Sequence, residues 1–341
     1  MESLRFKFKW LDNQGNEAGF LSKKGSFDGQ TLVLDDVALP AACLTTAENR
    51  GKRFVIAAVD GEGQAHQSLF SITSGSPEKL KAALGVCRSR VWAETHRDEL
   101  VKEGKAHEFR SIVCPHCQAT IDLTGMPQSP QVYCPFCHTI GTLESSQGPI
   151  KAEAQYRLCD HCGMYSKPRR FTIFYFYFLF VVYGYSQQET WRCPACMRGE
   201  AWKMLFGNLL FVIGVPVALT QLFRSYGGTD IGSLFSGLDA ANLRARKGNL
   251  AGAIEAYRRI LTEHPVAAGI KFNIGQAALS KNDLAGAAGI LEHALHDCAN
   301  YQPAAAALAD CYERLGETNK LHELRKQWGI EEEPESAEAV A

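Results

Sequence analysis

Eight of the twelve cysteines stand in four Cys-x-x-Cys pairs: Cys114/Cys117, Cys134/Cys137, Cys159/Cys162 and Cys193/Cys196. A pair at this spacing aims two sulfurs at one point, and two pairs supply the four thiolates of a tetrahedral zinc site. Sixteen residues separate the first two pairs, a usual interval for such a site, and thirty separate the last two, which is long. The expected cofactors are therefore two structural zinc ions held by all eight cysteines, with iron as the alternative for the same ligand set. A tetrathiolate site is closed, so the chemistry it supports is structural and not catalytic. His116, His138 and His161 lie beside the pairs, but four sulfurs already complete each tetrahedron. The remaining cysteines, Cys43, Cys87, Cys298 and Cys311, are isolated and are expected to be small buried hydrophobes.

Composition narrows the function. The 341 residues carry a formal net charge of −1, and the stretch 114–142 contains no lysine or arginine. The electrostatic term that drives phosphate binding is thus missing from the first cysteine region, and no nucleic-acid partner is expected. No signal peptide is seen ahead of Met1-Glu2-Ser3-Leu4, so the thiols are expected reduced and facing the cytosol. Cys114-Pro115-His116-Cys117 also matches the tetrapeptide of disulfide oxidases. No βαβ pattern surrounds it, and a second pair sits at zinc distance, which favours metal over redox exchange. No nucleophile–base pairing or phosphate loop is present, and the chain is expected not to be an enzyme.

Residues 4–10 alternate apolar and polar as a half-buried strand does, and strand-like runs follow at 19–21, 31–34, 53–59 and 67–73. Ser76, Pro77 and Glu78 then open an amphipathic helix carrying Leu80, Leu84, Cys87 and Val91. This order over residues 1–104 resembles a pleckstrin-homology-like barrel. The resemblance implies a lipid- or protein-binding module, in which Lys7, Lys9, Lys23, Lys24, Lys52 and Arg53 form a basic mouth; a solvated strand face is the other reading.

Residues 111–143 read as a first zinc ribbon with short strands at 119–123 and 131–133. Residues 155–200 read as a second ribbon interrupted by an apolar hairpin, 171–183. Aromatic and β-branched residues dominate there, and a spanning helix would put the two cysteine pairs on opposite sides of a bilayer. Tyr175, Tyr177, Tyr183 and Tyr185 suit a headgroup layer. Met204 to Phe223 has no charge, and within 201–225 it predicts either one kinked membrane span or a re-entrant helical hairpin turning near Gly214-Val215-Pro216. A buried core helix is the soluble alternative. If the stretch spans, Arg192, Arg198 and Lys203 outweigh Arg224, and the ribbons are expected on the cytoplasmic face. From Cys159 to Pro216 the arrangement resembles a recurring membrane-associated pattern of split ribbon, hairpin and apolar segment, which implies attachment to membrane lipids.

Leu250-Ala251-Gly252-Ala253 recurs thirty-four residues later as Leu284-Ala285-Gly286-Ala287, and Gly248, Asn282 and Gly316 keep the same offset. Ala241, Gly275 and Ala309 fall where paired helices approach, Tyr257 and Leu291 share one large position, and Pro265 ends the first unit. Over 233–328 the sequence resembles tetratricopeptide repeats. About three helix pairs are implied, with 321–328 as a cap and a groove for a protein or peptide partner. Asn242, Lys271, Asn273 and Gln276 are the candidate lining residues, or merely solvent-facing ones. The acidic tail, 329–341, is expected to be disordered. The whole predicts a multidomain α+β chain: an N-terminal antiparallel β-barrel with a C-terminal helix, two zinc ribbons, a hydrophobic membrane segment and an α-solenoid. The corresponding function is a membrane-associated scaffold or adaptor, with a zinc-ribbon nucleic-acid binder or a redox protein as alternatives.

Overall fold

The computed structural model describes residues 3–12, 14–50, 52–59, 64–143, 153–179, 182–209, 214–227 and 233–329. The chain forms two compact units: Met1–Thr124 with Cys134–Cys137 and Arg169–Gly227, and Gly125–Tyr133 with His138–Pro168 and Gly228–Ala341. The acidic tail beyond Gly329 lies outside the described residues.

In the first unit, alternation along the chain becomes a seven-stranded antiparallel sheet. Its strands are β1 (Leu4–Leu11), β2 (Glu17–Phe27), β3 (Thr31–Leu34), β4 (Val37–Pro40), β5 (Leu44–Arg50), β6 (Arg53–Val59) and β7 (Ala65–Ser74). They are ordered β4-β3-β2-β1-β7-β6-β5. Phe6, Phe8, Phe54, Ile56 and Phe70 point inward at every second position and meet Leu80 and Leu84 of helix α1 (Pro77–Lys102). Ser76 caps that helix, its hydroxyl accepting from the Lys79 N–H.

The expected closed barrel does not form. β4 and β5 are the two sheet edges, with no ladder between them, although only Ala41–Cys43 connects them. Pro40 ends β4 without an N–H to donate, which is where a closing ladder would have to begin. The Arg88 guanidinium of α1 takes up carbonyls at the start of β5 instead, donating from Nε to Leu44 at 3.0 Å and from its other end to Thr45. Burial lowers the pKa of that guanidinium, partly offset by the charge of Glu48.

Among the described residues no helix is long and apolar enough to cross a membrane, which corrects the expected span. The uncharged stretch is divided between α2 (Pro194–Asn208) and α3 (Val215–Tyr226). Asn208 explains the break: its carboxamide is buried and donates to the carbonyls of Met204 and Phe174. A Cβ on Gly214 would fall 2.3 Å from that side chain, so only glycine lets α3 begin there. The two helices pack on one another, so the stretch does not form one continuous helix. Met197, Ala201, Met204 and Ala218 bury their inner side with Phe171. Phe171 belongs to β14 (Arg169–Leu179), which pairs with β15 (Val182–Arg192) as the expected hairpin.

In the second unit, α4 (Leu238–Arg246), α5 (Leu250–Glu263), α6 (Ala268–Leu279), α7 (Leu284–Asp297), α8 (Gln302–Leu315) and α9 (Thr318–Gln327) follow one another, each packed on the next. Their shared core includes Tyr257 and Leu291, both fully buried. The Leu-Ala-Gly-Ala recurrence has a steric cause. Asn249 and Asp283 cap α5 and α7 by accepting from the N–H groups of Gly252 and Gly286 at 3.1 and 3.0 Å. A Cβ on either glycine would lie under 3.0 Å from its cap. Asn249→Ala and Asp283→Ala should each cost about 1 kcal/mol, read as a lower midpoint in denaturant with an unchanged slope.

Candidate metal centres and the asparagine ladder

Helix α1 presents the first cysteine set. Ser89 accepts from the Thr120 N–H, His96 Nδ1 lies 2.6 Å from Asp122, and Trp92 stands 6.5 Å from the Phe136 ring. These contacts seat the ribbon strands β8 (Ser111–Val113) and β9 (Thr120–Asp122) on the helix. Burial raises the Asp122 pKa, but hydrogen bonds from His96 and Thr124 outweigh it and hold the group below its ordinary value. Cys114 and Cys117 stand between β8 and β9. Cys134 and Cys137 stand between β10 (Gln131–Tyr133) and β11 (Ile140–Thr142).

The knuckles share a local form. The Gln118 N–H donates to the Cys114 carbonyl and the Gly163 N–H to the Cys159 carbonyl, at 2.8 and 2.9 Å. Gln118, His138 and Gly163, each directly after a second cysteine, all have φ near +60°. The fourth pair is built differently. Cys193 precedes α2, Pro194 occupies its first turn, and the Met197 N–H closes on the Cys193 carbonyl.

The sulfurs converge as the sequence predicts. Cys114 and Cys137 Sγ are 3.7 Å apart, and Cys117 and Cys134 Sγ 3.6 Å. Four sulfurs at about 2.3 Å from a tetrahedral zinc would stand about 3.8 Å from one another, so the donor set fits the ion. Cys159, Cys162, Cys193 and Cys196 likewise bring their sulfurs within 4.8 Å of each other, and each of the two clusters can hold a zinc ion. Hydrogen bonds from Cys117, Cys134 and Cys137 draw the Cys114 pKa down, whereas those with Cys114 push Cys117 and Cys134 up. Neither cluster includes a histidine, and His138 instead has Nδ1 2.9 Å from the Tyr133 hydroxyl. Among the isolated cysteines, Cys87, Cys298 and Cys311 are buried as expected, and Cys43 is exposed.

The other candidates are placed as follows. Lys9 pairs with Glu17 and Lys23 with Asp35, so two cations of the basic mouth are internally neutralised. Lys7 and Lys24 face each other across β1 and β2, and Lys52 and Arg53 sit at the start of β6. The Tyr175 hydroxyl donates to Glu200 at 3.0 Å; the side chains of Tyr177, Tyr183 and Tyr185 lie outside the described residues.

The expected groove residues divide. Lys271 is ion-paired with Asp297, and Gln276 is half-buried. Asn242 and Asn273 are buried and read the backbone of a single residue. Asn273 Oδ1 accepts from the Tyr165 N–H at 2.7 Å, while its Nδ2 and that of Asn242 donate to the Tyr165 carbonyl at 2.7 and 2.9 Å. Tyr165 lies in β13 (Tyr165–Ser166), paired with β12 (Arg157–Leu158) next to the Cys159/Cys162 knuckle. Asn300 repeats the arrangement on Tyr133 of β10, accepting from its N–H at 2.9 Å and donating to its carbonyl at 2.8 Å. Gln131 Oε1 and Ser129 Oγ accept from the N–H groups of Ala268 and Ala299. Asn300, Gln131 and Ser129 were not predictable: they lie in turns or short strands with no periodicity to single them out.

No protein-family model matches the chain, and no curated protein matches it.

Proposed function

We propose that this protein is a non-enzymatic membrane-associated adaptor, with two structural zinc ions and a tetratricopeptide-like helical region and pleckstrin-homology-like sheet that serve protein partners. Attachment is monotopic. The observation that carries it is the outer side of the α2–α3 hairpin. Phe206 is 68% exposed and Phe223 76%, and Trp202, Leu209, Leu219 and Tyr226 are exposed around them. Trp202 stacks on Phe206 at 5.9 Å, and Arg198 lies 5.3 Å from the Tyr226 ring. No carboxylate occurs from Ala201 to Thr229, while Lys203 and Arg224 are both present.

An apolar face with aromatic rims, cations and no acid suits an anionic lipid surface better than water. α3 has twelve residues, about 18 Å, enough to lie in the interface but not to cross the hydrocarbon. In this reading the ribbons lie on the cytoplasmic face, where their thiols stay reduced. The nucleic-acid alternative lacks cations in 114–142, and the redox alternative conflicts with sulfur spacing that suits a closed metal site.

Flotation with vesicles of anionic and neutral lipid tests attachment. The zinc-loaded chain is expected to float with anionic vesicles, and the double variant Phe206→Glu, Phe223→Glu to remain at the bottom with its helical signal intact. A wild-type chain that ignores every vesicle would overturn the proposal.

A further inference from the structure

The three most exposed large apolar side chains among the described residues are Phe20 at 98%, Leu21 at 83% and Phe223 at 76%, and all belong to the first unit. Phe223 is part of the attachment face already described; Phe20 and Leu21 are not. A lone exposed apolar residue needs no explanation. These two are adjacent, and the backbone pushes them out. Phe8 of β1 pairs with Lys23 of β2 and Trp10 with Ala18, so Lys9 alone stands against Gly19, Phe20, Leu21 and Ser22. The surplus residues form a bulge. Gly19 opens it with φ at +92°, a conformation that suits glycine.

The surroundings select the occupant. Phe6, Phe8 and Ile72 are buried, so Arg5, Lys7 and Thr73, which alternate with them, lie on the outer face of the sheet. Ser22 joins that face, its hydroxyl accepting from Thr73 Oγ1 at 3.0 Å. Lys7 stands directly opposite Lys24, and Arg5 opposite Ser26. Like charges placed across a strand pair destabilise it unless an anion relieves them. Among the described residues Arg5, Lys7 and Lys24 have no ion-pair partner, and residues 18–27 contain no carboxylate. An apolar tip beside uncompensated cations fits a surface that is apolar and anionic at once, as an anionic bilayer is. A stable protein contact takes about 20–30 residues a side. Among the described residues no other exposed large apolar side chain lies on β1, β2 or β7 to extend the tip.

The tip and the α2–α3 hairpin are joined within the unit. Glu78, in the first turn of α1 beyond the end of β7, lies 3.6 Å from Arg170, and Arg169 donates to the carbonyl of Arg224, beside Phe223, at 2.9 Å. Once the hairpin is in lipid, entry of the tip is an intramolecular step, so two weak contacts reinforce one another.

We propose that the bulge at 19–22 is a second insertion point for an anionic lipid surface, so that the first unit is held to the bilayer at two places. No headgroup pocket is involved: Glu17 and Asp35 neutralise Lys9 and Lys23, and attachment follows surface charge whichever anionic headgroup supplies it. The inference rests on the membrane reading above and adds a site outside the hairpin.

The test is flotation of the full zinc-loaded chain with vesicles of phosphatidylcholine alone, or mixed with phosphatidylserine or phosphatidylglycerol at equal charge. Phe20→Ser with Leu21→Ser should weaken partition into both anionic vesicles about tenfold, a difference of about 1.4 kcal/mol. Its thermal midpoint should match the wild type, because both side chains face water. Lys7→Gln with Lys24→Gln should weaken binding to the anionic vesicles severalfold and leave binding to phosphatidylcholine unchanged. Phe20→Trp should add fluorescence that brominated lipid quenches beyond the wild-type level. Equal flotation of the wild type and the Phe20/Leu21 variant, with Phe206→Glu and Phe223→Glu still abolishing it, would remove the second insertion point and leave the hairpin. Loss in the Phe20/Leu21 variant alone would keep the tip and remove the hairpin. A wild type that ignores every vesicle would overturn both. Sedimentation equilibrium without lipid should show a monomer; a dimer that dissociates on Phe20→Ser with Leu21→Ser would give the tip to a second copy of the chain and refute the lipid assignment.

Discussion

A chain carrying Cys134→Ser is expected to be purified with about one zinc ion where the wild type holds about two, one per thiolate cluster. The first cluster should lose its ion completely, because the four sulfurs act together. Cys134 is buried, and its Sγ lies 3.6 Å from Cys117. A serine oxygen there is a poor ligand for a soft tetrathiolate site. Structural zinc contributes about 10–16 kcal/mol in peptide systems, comparable to the whole stability of a domain at about 5–15 kcal/mol. The expected consequence is local unfolding of β8–β9 and loss of amide protection from Ser111 to Thr124. Cys43→Ser, at an exposed position outside both clusters, should leave metal content and protection unchanged. Retention of two ions by the Cys134 variant, or loss of one by the Cys43 variant, would refute the assignment.

The two four-cysteine clusters were the most legible part of this molecule because thiolate chemistry leaves little choice. Sulfur pairs with two residues between them can serve one ion. The thirty-four-residue recurrence was legible for a similar reason, since the cap and the glycine beneath it are both local. Closure of the sheet was not. Alternation specifies a strand and its buried face, but whether β4 meets β5 depends on one missing N–H at Pro40 and on where Arg88 sends its guanidinium, forty-four residues from Leu44. The left-handed conformations of Gln118 and His138 were hidden too, because neither side chain advertises the positive φ that Gly163 does.

The apolar stretch Met204 to Phe223 shows the limit of hydropathy. Its composition satisfies a spanning helix, yet α2 ends at Asn208 and α3 begins at Val215, with the buried Asn208 carboxamide set against Gly214. A polar atom in such a segment must find backbone acceptors, and it finds them at Met204 and Phe174. Likewise Asn242 and Asn273 were expected to line a groove, but periodicity cannot say that Tyr165 already occupies their carboxamides.

That occupancy yields the sharpest mutational expectation. Gly269 lies inside α6, and exchanging a helical glycine for alanine ordinarily stabilises by about 1 kcal/mol. Here the sign should reverse. The new Cβ would stand 2.5 Å from the Tyr165 ring, which is 3% exposed and hemmed by Tyr156 and Phe235. The ring cannot retreat without stretching the bonds from its backbone to Asn273, and overpacking of this kind typically costs about 1–3 kcal/mol, more where rigid rings collide. Gly269→Ala should therefore lower the midpoint of thermal unfolding by several degrees. Gly289→Ala in α7, where an added Cβ meets nothing within 4 Å, should raise it slightly. The cause is isolated by a double-mutant cycle. In a Tyr165→Ala background the collision partner is gone, so Gly269→Ala should become neutral or stabilising there. Equal destabilisation in both backgrounds would mean that the glycine serves helix packing alone, and that Tyr165 does not occupy the seat over Gly269.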